Sequence, residues 1–469
     1  MRALFKKRFL LPFAYAGLSG CVVGPSYQPP VMNAPPGYKE APGWTQATPL
    51  DGVPKGAWWG IYNDATLDRL EAQVAVSNQT LAADYYAYEQ AQDIVRETQG
   101  GYYPSIGITG SATRAGSGAA ASRPATSGSF EGSASWTPDI WGKIRRQVEA
   151  NQAAAQVSAA DLASATLSAQ AELATDYVDL RASDSEILLL RQTVAAYQAS
   201  LRITENQFNA GVAAQSDVIT ARTALEGAEA DLTGAGEARA QYEHAIAVLA
   251  GHAPAEVNIP PGQLMSIVPE IPTGIPSSLL QRRPDIAAAE RAMAEANAEI
   301  GVAVGAFYPD LSLSALGGYS ANPVTGLFSV SSALWSLGAS ATDTLYEGGT
   351  RTAAVQAAGA AYQEAVATYR QTVLTAFQQV EDSLSDLRIL AQQAQEEQSA
   401  VADATQAVQI ALNEYQAGTQ AYTTVDTAQT TLLADQQAAL TVQQNRLAAS
   451  IALIQALGGG WQTSYLPKG

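Results

Sequence analysis

The chain has 469 residues, of which 44 are acidic and 26 are basic, and its formal net charge at pH 7 is −18. This acidity argues against nucleic-acid binding, because an acidic surface repels phosphates. It is equally compatible with a lumen that favours cations and with solubility alone. Two histidines and one cysteine are too few for the usual catalytic metal sites, and no P-loop or GxSxG motif occurs. The sequence therefore predicts neither an enzyme nor a bound metal or other cofactor.

The first twenty residues predict an export signal. Four positive charges within residues 2–8 precede an apolar run from Phe9 to Leu18. The next residues, Leu18-Ser19-Gly20-Cys21, resemble a bacterial lipoprotein processing site, which implies cleavage before Cys21 and acylation of that cysteine. Val22 rather than aspartate follows the cysteine, which in such lipoproteins implies sorting to the outer membrane. We therefore expect a Gram-negative outer-membrane protein anchored by a covalent lipid on Cys21.

Residues 21–63 are rich in proline, glycine and tryptophan, a composition that predicts an extended segment lying over a surface. Asp64 then supplies an N-cap for a helix that we expect to run to about Gln99. After the signal, no segment offers 18 uninterrupted apolar residues. The sequence therefore predicts no membrane-spanning helix.

A first strand pair is predicted at residues 101–140. In its first strand, small or apolar residues alternate with glycine, serine and threonine from Ile106 to Thr113, which predicts two faces of different character. The Gly/Ser/Ala tract from Ala115 to Ser129 lacks side chains that could pack a core. The second strand is therefore expected from Phe130 to Ile140.

A second strand pair is expected at residues 307–346, opening at Leu311 and returning from about Ala333 to Leu345. Strands of about 9–11 residues with this alternation are typical of outer-membrane barrels. Four strands cannot close a barrel alone, because every strand edge must be paired in lipid. Several chains must then share one barrel. Two surface hairpins on a soluble protein would give the same pattern, and the alternation alone leaves that alternative open.

The stretch from Gly142 to Ala210 predicts one very long helix, because apolar residues recur every seven positions from Leu173 to Phe208. The same spacing returns from Val366 to Tyr415, in a register displaced by 207 residues. At 1.5 Å per residue such a helix is about 100 Å long, far longer than a globular domain. The sequence therefore predicts supercoiled helices, built twice.

The duplication also predicts how the chain is organised. The motif from Asn206 to Gly251 is echoed from Asn413 to Gly459, and the prolines crowded between the two halves prevent a helix from continuing there. The predicted segments are a signal (1–20), a Pro-rich segment (21–63), a first repeat (64–251) with a helical hairpin at 142–250, a Pro-rich linker (252–283), a second repeat (284–459) with a hairpin at 350–458, and a tail (460–469).

Each predicted hairpin turns at a glycine, Gly211 or Gly418, which supplies the left-handed conformation that ends a helix. Helix caps are expected from side chains just beyond these turns: Ser216 or Asp217, and Thr423 or Thr424.

Three long motifs occur in order along the chain. They are CVVGPSYQPP from Cys21, WWGIYNDATLDRLEAQVAVSNQTL from Trp58 and RRPDIAAAERAMAEANAEIGVAVGAFYPDLSLSA from Arg282. Together they resemble the outer-membrane efflux proteins, the TolC-type outer membrane factors, and in particular their lipoprotein branch. Pro284 in the third motif suits the first turn of a helix, and the two arginines before it are interpreted as a fold marker rather than a site.

The resemblance implies a mainly α fold with a small membrane β part. Long coiled-coil hairpins would form a periplasmic α-barrel, and four strands per protomer would contribute to the shared outer-membrane β-barrel of a homotrimer. The implied function is passive efflux conduction, gated at the periplasmic end. The implied partners are a periplasmic adaptor (membrane fusion) protein, an inner-membrane pump of the resistance-nodulation-division type and outer-membrane lipid.

The resemblance also implies roles for residues around the hairpin turns. The positions that fall where adaptor contacts are made are Gly211, Val212, Gly418 and Thr419. Asp426 falls in the gate region, where an inward carboxylate follows a bulky residue, here Tyr422, by one helical turn. Three such carboxylates would favour cations in a narrow pore. Tyr415 and Asp217 match positions that form a latch across helices in the best-known member, which has arginine where this chain has Gln420.

Two other functions stay open on the residues alone. One is a non-conducting coiled-coil lipoprotein that serves as a periplasmic spacer or adaptor, and the other is a channel of the same type that serves protein secretion. An adaptor would have one hairpin and a compact β-domain. The two hairpins and two Tyr-Pro strand pairs of this chain favour the channel.

Overall fold

The computed structural model describes residues 22–30, 32, 34–40, 57–116, 124–271 and 276–467, so the predicted signal and Cys21 lie outside the described residues. The helices are α1 Ala65–Ser77, α2 Gln79–Gly100, α3 Lys143–Asn209, α4 Gln215–Leu249, α5 Leu279–Arg282, α6 Pro284–Gly305, α7 Thr350–Gln416 and α8 Tyr422–Ala456. The strands are β1 Ser105–Ala115, β2 Ala125–Trp136, β3 Asp310–Ala321 and β4 Ala333–Thr342. None of the helices in these ranges combines the length and the apolar character that crossing a membrane requires.

The two halves of the chain carry helices of equal length at equal spacing. α3 and α7 have 67 residues each, and they start 207 residues apart, at positions 143 and 350. α4 and α8 have 35 residues each and start at positions 215 and 422, again 207 apart. The helix predicted from Gly142 to Ala210 is confirmed to within one residue at each end. A duplicated sequence thus folds into duplicated hairpins.

Two compact units divide the chain, and each takes residues from both halves. The first consists of residues 93–152 and 294–363 with the described residues among 1–28, and it contains the whole sheet. The second consists of residues 153–293 and 364–469 with 29–92, as far as they are described, and it contains both hairpin turns.

The core of the second unit lies at the predicted heptad positions. Four aliphatic side chains there are completely buried, with 0% exposure: Leu173, Leu180, Val373 and Val380. Burying one such side chain contributes about 1.5–3 kcal/mol. Phe208, the last residue of the first heptad series, is instead 42% exposed. The heptad core therefore holds the middle of the hairpins, and it weakens in α3 close to the turn.

Asp64 caps α1 as predicted, because its Oδ1 accepts from the backbone N–H groups of Thr66 (2.8 Å) and Leu67 (3.2 Å). Its second carboxylate oxygen accepts from the hydroxyl of Tyr177 at 2.7 Å. Tyr177 is itself completely buried in α3. One carboxylate therefore starts α1 and fastens it to the long helix.

The expectation of one helix over 64–99 is wrong, because the chain breaks at Asn78, whose backbone is extended (φ −64°, ψ 122°). The Asn78 Oδ1 accepts from Thr80 N (2.9 Å) and Leu81 N (3.1 Å), which caps α2. Its Nδ2 donates to Leu249 O at 2.9 Å, at the end of α4. Because the Asn78 carboxamide hydrogen-bonds three backbone groups, the helix break leaves few backbone groups unsatisfied. The break depends on this one side chain, so the apolar periodicity alone could not predict it.

Arg283, one of the two arginines interpreted as a fold marker, is buried and only 8% exposed. Its guanidinium donates to both carboxylate oxygens of Asp285 (3.0 and 2.6 Å), to Gln379 Oε1 (2.7 Å) and to Ala456 O (3.2 Å). Pro284 begins α6, as predicted. The arginine of the motif therefore ties the start of α6 to α7 and to the C-terminal end of α8.

The four strands form an antiparallel meander in the order β1-β2-β3-β4, so among the described residues β1 and β4 each have one edge without a partner. The predicted alternation is confirmed. One face carries large apolar side chains that are 45–81% exposed: Ile106, Ile108, Phe130, Trp335 and Leu337. The opposite face carries mostly serine, threonine and glycine.

The predicted bounds of two return strands are wrong. β2 covers Ala125–Trp136 rather than Phe130–Ile140, and β4 ends at Thr342 rather than Leu345. The early part of β2 lacks core-packing side chains, but it pairs through its backbone, and Ser129 Oγ lies 2.9 Å from Ser111 Oγ across the strands. A strand of this sheet needs no core behind it, so the absence of large side chains did not exclude strand structure.

Candidate gate at the hairpin turns

The two hairpin turns share one backbone geometry. Gly211 and Gly418 have positive φ angles of 76° and 72°. Val212 and Thr419, which follow them, donate their backbone N–H to carbonyls five residues earlier, at 2.9 and 3.0 Å. These bonds close a Schellman-type helix end. The left-handed angle, and not crowding, calls for glycine, because a Cβ at either position would meet no atom of the described residues within 4 Å.

The predicted caps beyond the turns are not formed. α4 and α8 start after Ala214 and Ala421, and neither start has a side-chain cap bond. Ser216 is already the second residue of α4, so it does not occupy the N-cap position from which a side chain binds the free N–H groups. Asp217 remains in the first turn, where the helix dipole favours a negative charge.

A small apolar cluster of Ala221, Ala411, Tyr415, Tyr422 and Val425 lies beneath the turns and joins α4, α7 and α8. The rings of Tyr415 and Tyr422 meet edge to face, with centroids 5.3 Å apart and planes at 67°. Tyr422 is only 1% exposed, and burial raises the pKa of its hydroxyl far above the usual range. Tyr422 therefore packs inside its own chain.

Asp426 lies one helical turn after Tyr422 on α8, and it is half-buried. Burial raises the pKa of the Asp426 carboxyl above its usual range. The charged form of Asp426 in turn raises the pKa of the Tyr422 hydroxyl, after the larger effect of burial. The structure thus brings this pair together on one side of α8, with the tyrosine inward and the carboxylate towards the surface.

The latch between Tyr415 and Asp217 is not formed within the chain. The Tyr415 hydroxyl is buried, and it meets no hydrogen-bond partner among the described residues; it lies beside Thr204, whose hydroxyl donates to Ser200 O at 2.9 Å. Burial first, and the Asp217 charge to a smaller degree, raise the pKa of the Tyr415 hydroxyl. Asp217 is thus near Tyr415 without bonding it.

Two glutamines that the sequence analysis missed connect the hairpins below the turns. Gln429 Nε2 donates to Ser200 Oγ at 2.8 Å, and both side chains are buried. Gln207 Nε2 donates to Tyr415 O at 3.3 Å. Gln429 lies seven residues after Tyr422, at a heptad position that is normally apolar. Polar residues at such positions can fix the register of packed helices, so this glutamine was the signal in the sequence for the buried contact.

Comparison with known proteins identifies the family to which this fold belongs. The family model described as "Outer membrane efflux protein" matches residues 70–252 and 275–459. The probable efflux pump outer membrane protein TtgC of Pseudomonas putida is 28% identical over 453 residues, which cover 95% of this chain and 93% of TtgC. The cation efflux system protein CusC of Escherichia coli is 28% identical over 458 residues, which cover 97% of this chain and 99% of CusC.

The solved structure of the outer-membrane channel OprN superposes with a TM-score of 0.88 at 27% identity, covering 94% of this chain and 100% of OprN. OprN and this chain therefore share one fold, with long helical hairpins and a small sheet. The chain accordingly belongs to the outer membrane efflux protein family and is an outer-membrane channel of an efflux system.

Proposed function

We propose that the chain is the protomer of a passive, gated homotrimeric channel, in which three copies close one outer-membrane β-barrel. The observation that carries this proposal is the open sheet, whose β1 and β4 edges pair with no other strand of the described structure. Unpaired backbone groups cost several kcal/mol each in lipid. Joining β1 of one copy to β4 of the next removes every edge. Three copies give twelve strands, an even number within the range of bacterial barrels.

The exposed apolar face of the sheet supports the same assembly. Trp335 and Leu337 are 78% and 76% exposed on β4, and Ile106 is 81% exposed on β1. Such side chains are unfavourable in water but suit the lipid-facing side of a membrane barrel. The small polar side chains of the other face then line the lumen.

The gate in this proposal is a ring of three Asp426 carboxylates, one from each copy. Carboxylates that converge in a narrow pore repel one another and concentrate negative potential, which favours cations. Tyr422 and Tyr415 support this ring by packing rather than by lining the pore, because both are buried within their own chain. Asp217 adds negative charge beside them.

The turns at Gly211 and Gly418 form the docking points for a periplasmic adaptor protein. Support comes from the exposure of their side chains, with Val212 71% exposed, and from the two identical turn geometries, which offer the adaptor equivalent sites. Thr419 occupies in the second turn the position of Val212 in the first. TtgC is named an efflux pump outer membrane protein, and the pump of this chain would be an inner-membrane protein of the resistance-nodulation-division type that supplies the energy.

The proposal needs no cofactor apart from the lipid on Cys21, which anchors the mature protein to the outer membrane. The sequence supports this, since Cys21 is the one cysteine of the chain and directly follows an apolar signal.

The experiment is light scattering on full-length protein purified in detergent from outer membranes, with intact-mass spectrometry on the same sample. We expect the mass of three protein chains, each shortened to begin at Cys21 and carrying acyl chains that a Cys21→Ser variant lacks. A monodisperse single chain would refute the shared barrel. Three unacylated chains that still include residues 1–20 would refute the lipid anchor alone.

A further inference from the structure

The polar face of the sheet is almost free of charge. Its residues are those that alternate with the apolar set, and on β2 they are Ser127, Ser129, Glu131, Ser133 and Ser135 together with Ala125. Serine pairs bridge neighbouring strands on this face, with Oγ to Oγ distances of 2.7 Å for Ser105–Ser135 and 2.9 Å for Ser111–Ser129. Besides Glu131, the four strands carry one acidic residue, Asp310, which is the first residue of β3.

Glu131 stands in the middle of this face. It lies halfway along β2, one of the two central strands, and it pairs across the sheet with Thr109 on one side and Gly318 on the other. A Cβ at Gly318 would come within 2.3 Å of Phe130 O, 2.7 Å of Glu131 Cα and 3.1 Å of Glu131 Cγ. The missing side chain at Gly318 therefore leaves the room into which Glu131 projects.

No cation neutralises Glu131 within the described residues. The salt bridges of the described chain do not include it. Arg114 is the one basic residue of the four strands, and it pairs with Thr126, on the face that carries the apolar side chains. Among the described residues, Glu131 is thus the central charge of this face, whose other side chains are mostly small and polar and whose second carboxylate, Asp310, lies at the end of β3.

We propose that Glu131 sets the ion selectivity of the barrel lumen, as a ring of three carboxylates that admits cations and positively charged substrates in preference to anions. This inference rests on the proposed trimer, which turns one Glu131 per sheet into three around a pore. It assigns the barrel a charge filter separate from the ring proposed for Asp426. A potential from fixed carboxylates acts through water over about one Debye length, so it is strongest at low salt.

The test is the reversal potential of single channels in planar bilayers under a KCl gradient. Wild type and Glu131→Gln are compared, each also in an Asp426→Ala background so that the proposed gate does not mask the barrel. We expect Glu131→Gln to lower the permeability ratio of K⁺ to Cl⁻ by about twofold to fivefold near 0.1 M salt. The difference should shrink towards 1 M salt, and Glu131→Lys should shift the ratio further towards anions.

The control is Arg114→Gln, which removes a charge from the opposite face and should leave the ratio close to that of wild type. An unchanged ratio in Glu131→Gln at low salt overturns the inference, and so does an Arg114→Gln shift as large as that of Glu131→Gln, because the faces would then be reversed. Neither result contradicts the proposed channel function. That function would be contradicted if neither wild type nor any variant conducted.

Discussion

At the scale of single residues, Glu71 is a carboxyl group buried without a partner. It lies on α1 with 0% exposure, and neither of its carboxylate oxygens meets a hydrogen-bond partner in the described structure. Burial raises the pKa of Glu71 to about 9. This burial could not be predicted from the sequence, since one glutamate on an amphipathic helix is normally solvated.

The raised pKa of Glu71 makes stability depend on pH. A carboxyl group whose pKa is higher in the folded state stabilises the fold below about pH 4.5, and this contribution is lost as pH rises towards 9. Between pH 5 and pH 8 the loss is on the order of 4 kcal/mol at most. We therefore expect the apparent Tm of wild type to fall over this window by clearly more than that of Glu71→Gln.

Differential scanning fluorimetry in detergent measures this, with Glu97→Gln as the control, because Glu97 is exposed on α2. If the apparent Tm of wild type and of Glu71→Gln fell in parallel with pH, the pKa of Glu71 would not be raised in the folded state. The argument from its burial would then fail.

At the scale of elements, periodicity predicted the long helices well and their ends poorly. Seven-residue spacing sustained over α3 and α7 is specific, because few structures other than supercoiled helices need it. The ends depend on single side chains: Asn78 breaks a helix that periodicity continues, and Ser216 does not cap α4. The start of β2 was missed because its small residues pair through the backbone alone.

The packing of α7 against α8 near the turns gives a second prediction. Because the buried Tyr415 hydroxyl has no hydrogen-bond partner among the described residues, Tyr415→Phe should leave the apparent Tm unchanged or slightly higher, and the channel should stay as closed as wild type. Tyr415→Ala removes the ring that packs on Tyr422 and should cost about 3–5 kcal/mol.

Thermal unfolding and conductance of both variants check this. A Tyr415→Phe channel that opens like a gate mutant would mean that the hydroxyl forms a latch after all, with a partner in the assembled trimer.

At the scale of the whole molecule, the alternation of the strands and the heptads of the helices already require an assembly. The strands of one chain cannot close, and the outward apolar face cannot stay in water. The class of the protein was therefore predictable from the residues that carry the repeats and the family motifs. The packing at the proposed gate was not predictable, because Tyr422 and Asp426 share a helix face in the sequence. Only the fold shows that the Tyr422 side chain is buried while the Asp426 carboxylate is half-exposed.

The most direct measurement is single-channel conductance in planar bilayers, comparing wild type with Asp426→Ala. Asp435→Ala is the matched control, since it removes the same charge from α8 more than two turns further from the hairpin turn. We predict small, rare openings for wild type and for Asp435→Ala, and larger, longer openings with weaker cation preference for Asp426→Ala. Equal conductance of all three would contradict the gate, and the absence of any conductance would contradict the channel itself.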